Sequence, residues 1–139
     1  MARSRRGNRL TAYLDTNVLI RHLTGDPPEM ARRATELLGS ENRLILTDLV
    51  TAECVYVLKS FYKVEEARIA ELMRAAFALR TIEVPALNVL LRSLELFEEH
   101  RIGFADAYLV ASAELTGIGE VASFDEGIDR IKTVNRVMS

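Results

Sequence analysis

Apolar and polar residues follow two patterns along the chain, and these predict alternating strands and helices. Short apolar runs bounded by turn residues predict strands, whereas apolar residues three and four positions apart predict helices. The predicted strands are Thr11–Leu14, Arg43–Thr47, Thr81–Val84, Val121–Phe124 and Lys132–Val137. Thr16 or Asn17 is expected to cap the first predicted helix, which ends near Leu23. The other predicted helices are Glu29–Leu38, Asp48–Phe61, Val64–Leu79, Ala86–His100 and Phe104–Leu115. Strands separated by helices predict an α/β fold with a mainly parallel sheet.

The composition is that of one globular domain. The chain has 139 residues, of which 49% are hydrophobic and 27% charged, enough to bury a core at this length. Its single cysteine, Cys54, precedes apolar residues and is expected to be a small core residue in a reducing compartment. No apolar run is long enough to span a membrane or to form a signal core, so we expect a cytoplasmic protein.

Charge is distributed unevenly. The net charge is −2, which argues against a protein that coats nucleic acid. The first ten residues contain Arg3, Arg5, Arg6 and Arg9 and no acid, which leaves the remainder about six charges negative. We therefore divide the chain into a basic, flexible arm (residues 1–10) and a single domain (residues 11–139). The arm is either a solvated terminus or an electrostatic contact for phosphates.

Two acids follow predicted strands. Asp15 comes directly after the first strand, and Asp125 directly after the fourth. Ligands of parallel α/β sheets bind beyond the carboxyl ends of the strands, so this is where a functional site is expected. The structural alternative is a helix cap for Asp15 and a turn residue for Asp125.

Two further acids lie on predicted helices. Glu53 is three residues after Val50 and four before Val57, so it is expected on the core-facing side of its helix. A carboxylate there costs several kcal/mol unless it is paired, protonated or bound to a metal; the alternative is an internal salt bridge. Asp106 lies in the first turn of a strongly apolar helix, where an acid is also a common cap.

Other kinds of site find no support. The two histidines, His22 and His100, lie far apart and near predicted helix ends, which argues against a zinc site or a histidine-pair ribonuclease. The sequence contains no Ser-His-Asp arrangement, glycine-rich phosphate loop or cysteine cluster. A phosphoacceptor receiver domain is disfavoured because the late lysine, Lys132, follows the last acidic motif.

The four acidic motifs together resemble the PIN-domain family, and within it the VapC-type toxins of bacterial toxin–antitoxin pairs. The resemblance covers the chain from Thr11 to about Val137. The motifs are Tyr13–Asn17 (YLDTN), Thr51–Leu58 (TAECVYVL), Phe104–Ala107 (FADA) and Ser123–Asp125 (SFD). As a set they are far more specific than any one of them.

The resemblance implies a fold, an activity and partners. The fold is a PIN-like three-layer α/β/α arrangement around a mainly parallel five-stranded sheet, with the first and fourth strands adjacent. The activity is that of an endoribonuclease dependent on Mg²⁺ or Mn²⁺, with one or two ions bound. By the resemblance, Asp15, Glu53, Asp106 and Asp125 match the catalytic, metal-binding acids of the family. Asn17 and Ser123 match its polar supporting positions, and Ser123 stands at a position where the family usually has Thr. The partners are the RNA substrate, a VapB-type antitoxin and a second copy of the chain.

This chemistry suits carboxylates. Their hard oxygens hold Mg²⁺ or Mn²⁺, and the metal lowers the pKa of bound water and offsets charge on the phosphate. Asp15, Asp106 and Asp125 are the preferred direct ligands, whereas Glu53 is a direct ligand, a ligand through water, or a base. Attack by water leaves a 5′-phosphate. An acidic site needs a basic rim, for which Arg21, Arg92 and Arg101 are candidates; surface solvation is the alternative for each.

Two alternatives to the toxin remain open. One is a PIN-domain nuclease of RNA processing that has no antitoxin. The other is a non-catalytic domain that binds protein or RNA, with its acids kept as caps and salt-bridge partners. An intact acidic quartet favours the nuclease, and a small neighbouring gene for a DNA-binding antitoxin would favour the toxin.

Overall fold

The computed structural model describes residues 9–138, so Arg3, Arg5 and Arg6 of the predicted basic arm lie outside the described residues. Within residues 9–138 the chain divides into two structural units, one ending at Pro85 and the other beginning at Ala86. The predicted strands and helices are all present there, and the helix bounds agree with the prediction to within two residues. No helix of this range is long and apolar enough to cross a membrane.

The first unit is built on three parallel strands. Its elements are β1 (Thr11–Tyr13), α1 (Thr16–Thr24), α2 (Pro28–Gly39), β2 (Arg43–Ile45), α3 (Asp48–Ser60), α4 (Glu66–Phe77) and β3 (Ile82–Glu83). The strand order is β1–β2–β3, with Ala12 opposite Leu44 and Leu44 opposite Ile82. The N–H of Leu14 donates to the carbonyl of Ile45 at 2.8 Å, so the ladder continues one residue beyond β1. Because the strands are parallel, their carboxyl ends lie at one edge of this sheet.

Local sequence signals set the helix ends of this unit. Helix α1 ends at Gly25, whose φ of 72° is the left-handed conformation that glycine adopts without strain. Helix α2 begins at Pro28, where the missing N–H of proline leaves no helical bond unmade. The hydroxyl of Thr47 caps α3 by accepting the N–H of Val50 at 3.2 Å.

The second unit consists of two long helices, a short 3₁₀ helix and two short strands. Its elements are α5 (Leu87–His100), α6 (Phe104–Thr116), β4 (Glu120–Val121), a 3₁₀ helix (Glu126–Arg130) and β5 (Asn135–Arg136). Helices α5 and α6 pack against each other, and Phe97 meets Phe104 edge to face with ring centroids 6.0 Å apart. Strands β4 and β5 are parallel, with Val121 opposite Arg136.

The fourth strand is shorter than predicted and begins one residue earlier. It ends at Val121, so residues 122–125 leave the strand and Phe124 is 74% exposed. The Ser123 carbonyl accepts a hydrogen bond from Arg136 Nη1 at 3.1 Å, and the Ser123 hydroxyl accepts the N–H of Asp125 at 3.0 Å. Hydrogen bonds from side chains thus take the place of strand hydrogen bonds after Val121. The prediction that Asp125 directly follows the strand is therefore wrong.

These pairings make the chain an α/β protein whose strands pair in parallel, as predicted. The hydrogen-bonded strands form a group of three in the first unit and a pair in the second. The predicted adjacency of β1 and β4, which would join them into one five-stranded sheet, stays a prediction.

A bidentate ion pair links α5 to α6 in the second unit. Arg92 Nε and Nη2 donate to the two carboxylate oxygens of Glu114 at 2.7 and 2.9 Å, and Thr133 also donates to this carboxylate. The Glu114 side chain is only 15% exposed. The bond from Arg92, partly opposed by burial, holds the pKa of Glu114 below its ordinary value. Arg92, a candidate for the basic rim, is therefore engaged within the fold, where it also pairs with Glu95.

Glu114→Gln is expected to lower the free energy of unfolding by about 1–3 kcal/mol at pH 7, because it breaks charge-assisted bonds at a partly buried site. A carboxyl whose pKa is depressed by folding stabilises above its unfolded pKa, about 4.3, and stops doing so as pH falls through the folded value. The difference between variant and wild type should therefore shrink at pH 3, as measured by urea unfolding. Glu95→Gln is the control, since that exposed pair is worth at most about 1 kcal/mol. Equal losses in both variants would contradict the assignment.

Candidate active site

Asp15 lies two residues beyond the end of β1 and caps helix α1. Its Oδ2 accepts the N–H of Asn17 at 3.2 Å, and its backbone is extended, as an N-cap requires. The prediction that Thr16 or Asn17 is the cap is wrong, since Thr16 is the first helical residue and is buried. The cap uses one carboxylate oxygen of an otherwise exposed side chain.

Glu53 lies in the middle of α3 and is exposed, so the prediction that it faces the core is wrong. The buried stripe of α3 consists of Thr51, Cys54, Val55 and Leu58. Each helical residue is rotated by about 100° from the last, so Glu53 lies on nearly the opposite side of the helix from this stripe. The carboxylate needs no internal salt bridge to offset burial.

Cys54 shows that Asp15 and Glu53 belong to one region of the first unit. Burial raises the pKa of its thiol to about 12, and the negative charges of Glu53 and Asp15 add to the increase. Both carboxylates are therefore within electrostatic range of the same sulfur. The thiol stays protonated at neutral pH, so Cys54 is a buried core residue, as predicted, and no nucleophile.

Asp106 and Asp125 form a second acidic pair, in the second unit. Asp106 lies in the first turn of α6, and Asp125 precedes the 3₁₀ helix that its Oδ1 caps by accepting the N–H of Gly127 at 2.8 Å. The two carboxyl groups are close enough for each to shift the pKa of the other. Helix α6 has Gly103 at its N-cap and no side-chain cap, so Asp106 is not the capping residue.

The surroundings shift the pKa values of the two carboxyl groups in opposite directions. Partial burial raises the pKa of Asp106, and the bond and charge of Asp125 raise it further. The N–H of Gly127 lowers the pKa of Asp125, as do the bond from Asp106 and the nearby charges of Arg130 and Arg136. Asp106 is therefore the weaker acid of the two, and two ionised carboxylates this close repel each other, which a bound cation would offset.

Arg136 supports the Asp125 turn and was not identified from the sequence. Its Nη1 donates to the Ser123 carbonyl, while Nε and Nη2 hold both oxygens of Asp129 at 3.0 Å. Ser123 in turn accepts the N–H of Asp125. No sequence signal marks this arginine, because its role depends on the placement of β5 beside β4.

Arg101 occupies the junction that leads to Asp106. It caps the C-terminus of α5 with a φ of 54°, a conformation that non-glycine residues rarely adopt, and its side chain is exposed. Arg130 Nη1 donates to the carbonyl of His100 at 2.9 Å, which holds this junction in place. A substrate role for Arg101 stays a prediction.

The carboxylate oxygens of the four acids suit Mg²⁺ or Mn²⁺. The acids form one pair in each structural unit, Asp15 with Glu53 and Asp106 with Asp125. Every candidate ligand offers carboxylate oxygen, which these hard cations prefer, and the Asp106–Asp125 contact is one that a cation would relieve. Within residues 9–138 no group of three or more His, Cys, Asp or Glu side chains is arranged to hold a metal ion. The joint action of Asp15, Glu53, Asp106 and Asp125 therefore stays a proposal.

The structure is thus that of an α/β chain with one acid, Asp15, two residues beyond β1 and another, Asp125, four residues beyond β4. Residues 12–134 match the sequence model of the PIN domain, and the chain belongs to the PIN domain family. PIN domains are generally nucleases and generally use divalent metal ions. The family prediction is thereby confirmed.

Comparison with solved structures gives a weak likeness to a chain in the crystal structure of VapBC2 from Rickettsia felis, in which VapBC2 is bound to a DNA fragment from its promoter. The likeness has 18% sequence identity and a TM-score of 0.36, and covers 91% of this chain and 97% of the other. Comparison with curated protein sequences gives no match.

Proposed function

We propose that this PIN domain is an endoribonuclease dependent on Mg²⁺ or Mn²⁺, in which Asp15, Glu53, Asp106 and Asp125 act together at one or two metal ions. The observation that carries the proposal is the closeness of the carboxyl groups of Asp106 and Asp125, each of which shifts the pKa of the other. Crowded carboxylates are costly in a protein without cations and useful in one that binds them. The nuclease character of the PIN domain family supports the same function.

The side chains have distinct parts in this proposal. Asp15, Asp106 and Asp125 hold the metal, and Glu53, exposed on α3, completes the set or orients the attacking water. When bound, the metal lowers the pKa of that water and offsets charge on the phosphate. Asn17 orients Asp15 through its N–H, and Ser123 orients Asp125 through its hydroxyl. Arg101 contacts a substrate phosphate.

The toxin assignment, the partners and the location rest on the sequence resemblance to VapC-type toxins. We propose that residues 11–139 form one PIN-like domain, that it pairs with a VapB-type antitoxin in the cytoplasm, and that it forms a homodimer. Residues 1–10 form the basic arm, to which Arg9 contributes an exposed charge. A small gene for a DNA-binding antitoxin beside this one would support the toxin over an RNA-processing nuclease.

A non-catalytic role has one specific observation in its favour. Asp15 and Asp125 both cap helices, as the structural alternative requires. Glu53 and Asp106 cap no helix, so capping explains only half of the acidic set. Cleavage assays separate the two functions.

Purified protein is expected to cleave structured RNA only when a divalent cation is present. Cleavage should stop in EDTA, return with excess Mg²⁺ or Mn²⁺, and leave 5′-phosphate ends, which ligation to an adaptor that requires a 5′-phosphate detects. Because water rather than the ribose 2′-hydroxyl attacks, no cyclic phosphate should form. Cleavage that persists in EDTA, or ends that carry a cyclic phosphate, would exclude the proposed mechanism.

A further inference from the structure

A cleft of about 380 Å³ lies between α1 and α2 of the first unit. Its apolar lining includes Val18, Met30 and Leu37, and its polar lining consists of Asn17, Arg21 and Arg33. A pocket of a few hundred Å³ with an apolar lining and a few polar groups is typical of a small-ligand site.

The two arginines of the cleft are poorly satisfied within the chain. Nε of Arg21 is buried and has no hydrogen-bond partner among the described residues, and Nη1 makes only a long bond of 3.4 Å to the carbonyl of Asp26. Nε itself has no accessible surface, so a phosphate in the cleft would meet the terminal nitrogens of Arg21, of which Nη1 makes only that weak bond. Arg33 is exposed at the same cleft.

The neighbouring Arg32 lies on the same helix as Arg33 but, unlike Arg33, forms ion pairs within α2. Arg32 pairs with Glu29 at 2.7 Å and with Glu36 at 2.5 Å. One arginine of α2 is thus neutralised by its own helix, while the next presents its charge at the cleft. Guanidinium groups beside an apolar surface suit a phosphate together with a nucleobase.

The cleft also lies beside the proposed metal ligands. Asn17, which lines it, donates its N–H to the carboxylate of Asp15. An RNA strand with one phosphate near Asp15 would therefore have its adjoining nucleotide near α1 and α2.

We propose that the α1–α2 cleft binds one nucleotide of the RNA substrate, next to the phosphate that is cut. Arg21 and Arg33 hold its phosphate, and its base lies over Val18 and Met30. The inference rests on the proposed function, because it assigns a substrate subsite to the same nuclease. It predicts that binding requires a base but tolerates different bases, since an apolar wall contacts the face of the base and offers no hydrogen bonds to its edge.

The test uses uridine and adenosine 5′-monophosphate, which contain no bond to cut, so binding is measured whether or not the protein cleaves RNA. Binding is followed by backbone amide chemical shifts. Saturable shifts confined to α1 and α2 are expected with the nucleotides. Inorganic phosphate and ribose 5-phosphate should bind about tenfold more weakly, because they lack the base that buries apolar surface against Val18 and Met30. Equal binding of phosphate and nucleotide, or shifts that avoid both helices, would overturn the subsite.

Arg33→Ala and Arg32→Ala form a matched pair of exposed substitutions on one helix. Arg33→Ala should weaken nucleotide binding about tenfold, as expected for a lost charge-assisted bond, and should raise KM for RNA with kcat little changed. Arg32→Ala should bind and cleave like the wild type. Identical nucleotide affinity in both variants would overturn the role of Arg33. A wild type that binds nucleotides at α1–α2 but cleaves no RNA with metal would contradict the nuclease and leave the subsite standing.

Discussion

Asp15→Asn is expected to abolish RNA cleavage while leaving the stability of the protein almost unchanged. The Asp15 side chain has two tasks in the proposal, capping α1 through Oδ2 and holding the metal through its charge. Asparagine caps helices about as well as aspartate, so the first task survives, but its neutral amide is a poor ligand for Mg²⁺. We expect a loss of cleavage of at least about 100-fold, because even groups that only support a ligand cost about 10- to 100-fold.

Asp15→Ala separates the two tasks, because alanine performs neither. It should lose cleavage equally and should also lower the free energy of unfolding by about 0.5–2 kcal/mol, as expected for a lost N-cap. Urea unfolding in EDTA measures stability, and initial rates on one RNA measure cleavage. Asp26→Asn, an exposed aspartate beyond the other end of α1, is the control and should match the wild type in cleavage. If Asp15→Asn retains cleavage while Asp15→Ala unfolds more easily, Asp15 is a cap and nothing more.

Helix ends are predicted best from this sequence where a helix carries its own boundary signals. Gly25 ends α1 and Gly117 ends α6, both in the left-handed conformation, and these signals are local. Strands carry no comparable signal, since their length depends on the partner. Residues after Val121 have the composition of a strand, but Arg136 binds the Ser123 carbonyl and the ladder stops.

Order and spacing single out the four acids as candidate site residues, which stays a prediction, and the surroundings that the sequence predicts for Glu53 are wrong. Val50 and Val57 flank Glu53 at helical spacing, which predicts Glu53 on the core face. Those two valines are only half-buried, and the true stripe passes through Cys54 and Leu58. A contact between Asp106 and Asp125 joins residues 19 positions apart in the chain, and periodicity contains no information on such a contact.

Asp106→Asn is expected to remove cleavage, to relieve the growth arrest that the wild type causes on expression in bacteria, and to leave the metal-free protein equally or more stable. Folding raises the pKa of Asp106, so its ionised form destabilises the folded state, and increasingly so as pH rises through the unfolded value. An asparagine at this position is neutral and its amide can still donate to Asp125. Asp106 caps no helix, so no capping bond is lost.

Four melting curves test this, with wild type and Asp106→Asn each in EDTA and in excess Mn²⁺. The wild type should gain stability from Mn²⁺, by about 2.7 kcal/mol at a concentration 100 times Kd, because a ligand that binds only the folded state shifts the equilibrium. The variant should start at or above the wild type in EDTA and gain less. Glu99→Gln, an exposed acid of α5, should behave as the wild type in growth, cleavage and melting. A variant that is less stable than the wild type in EDTA, with no response to Mn²⁺ in either protein, would show that Asp106 stabilises the fold directly and would remove it from the metal site.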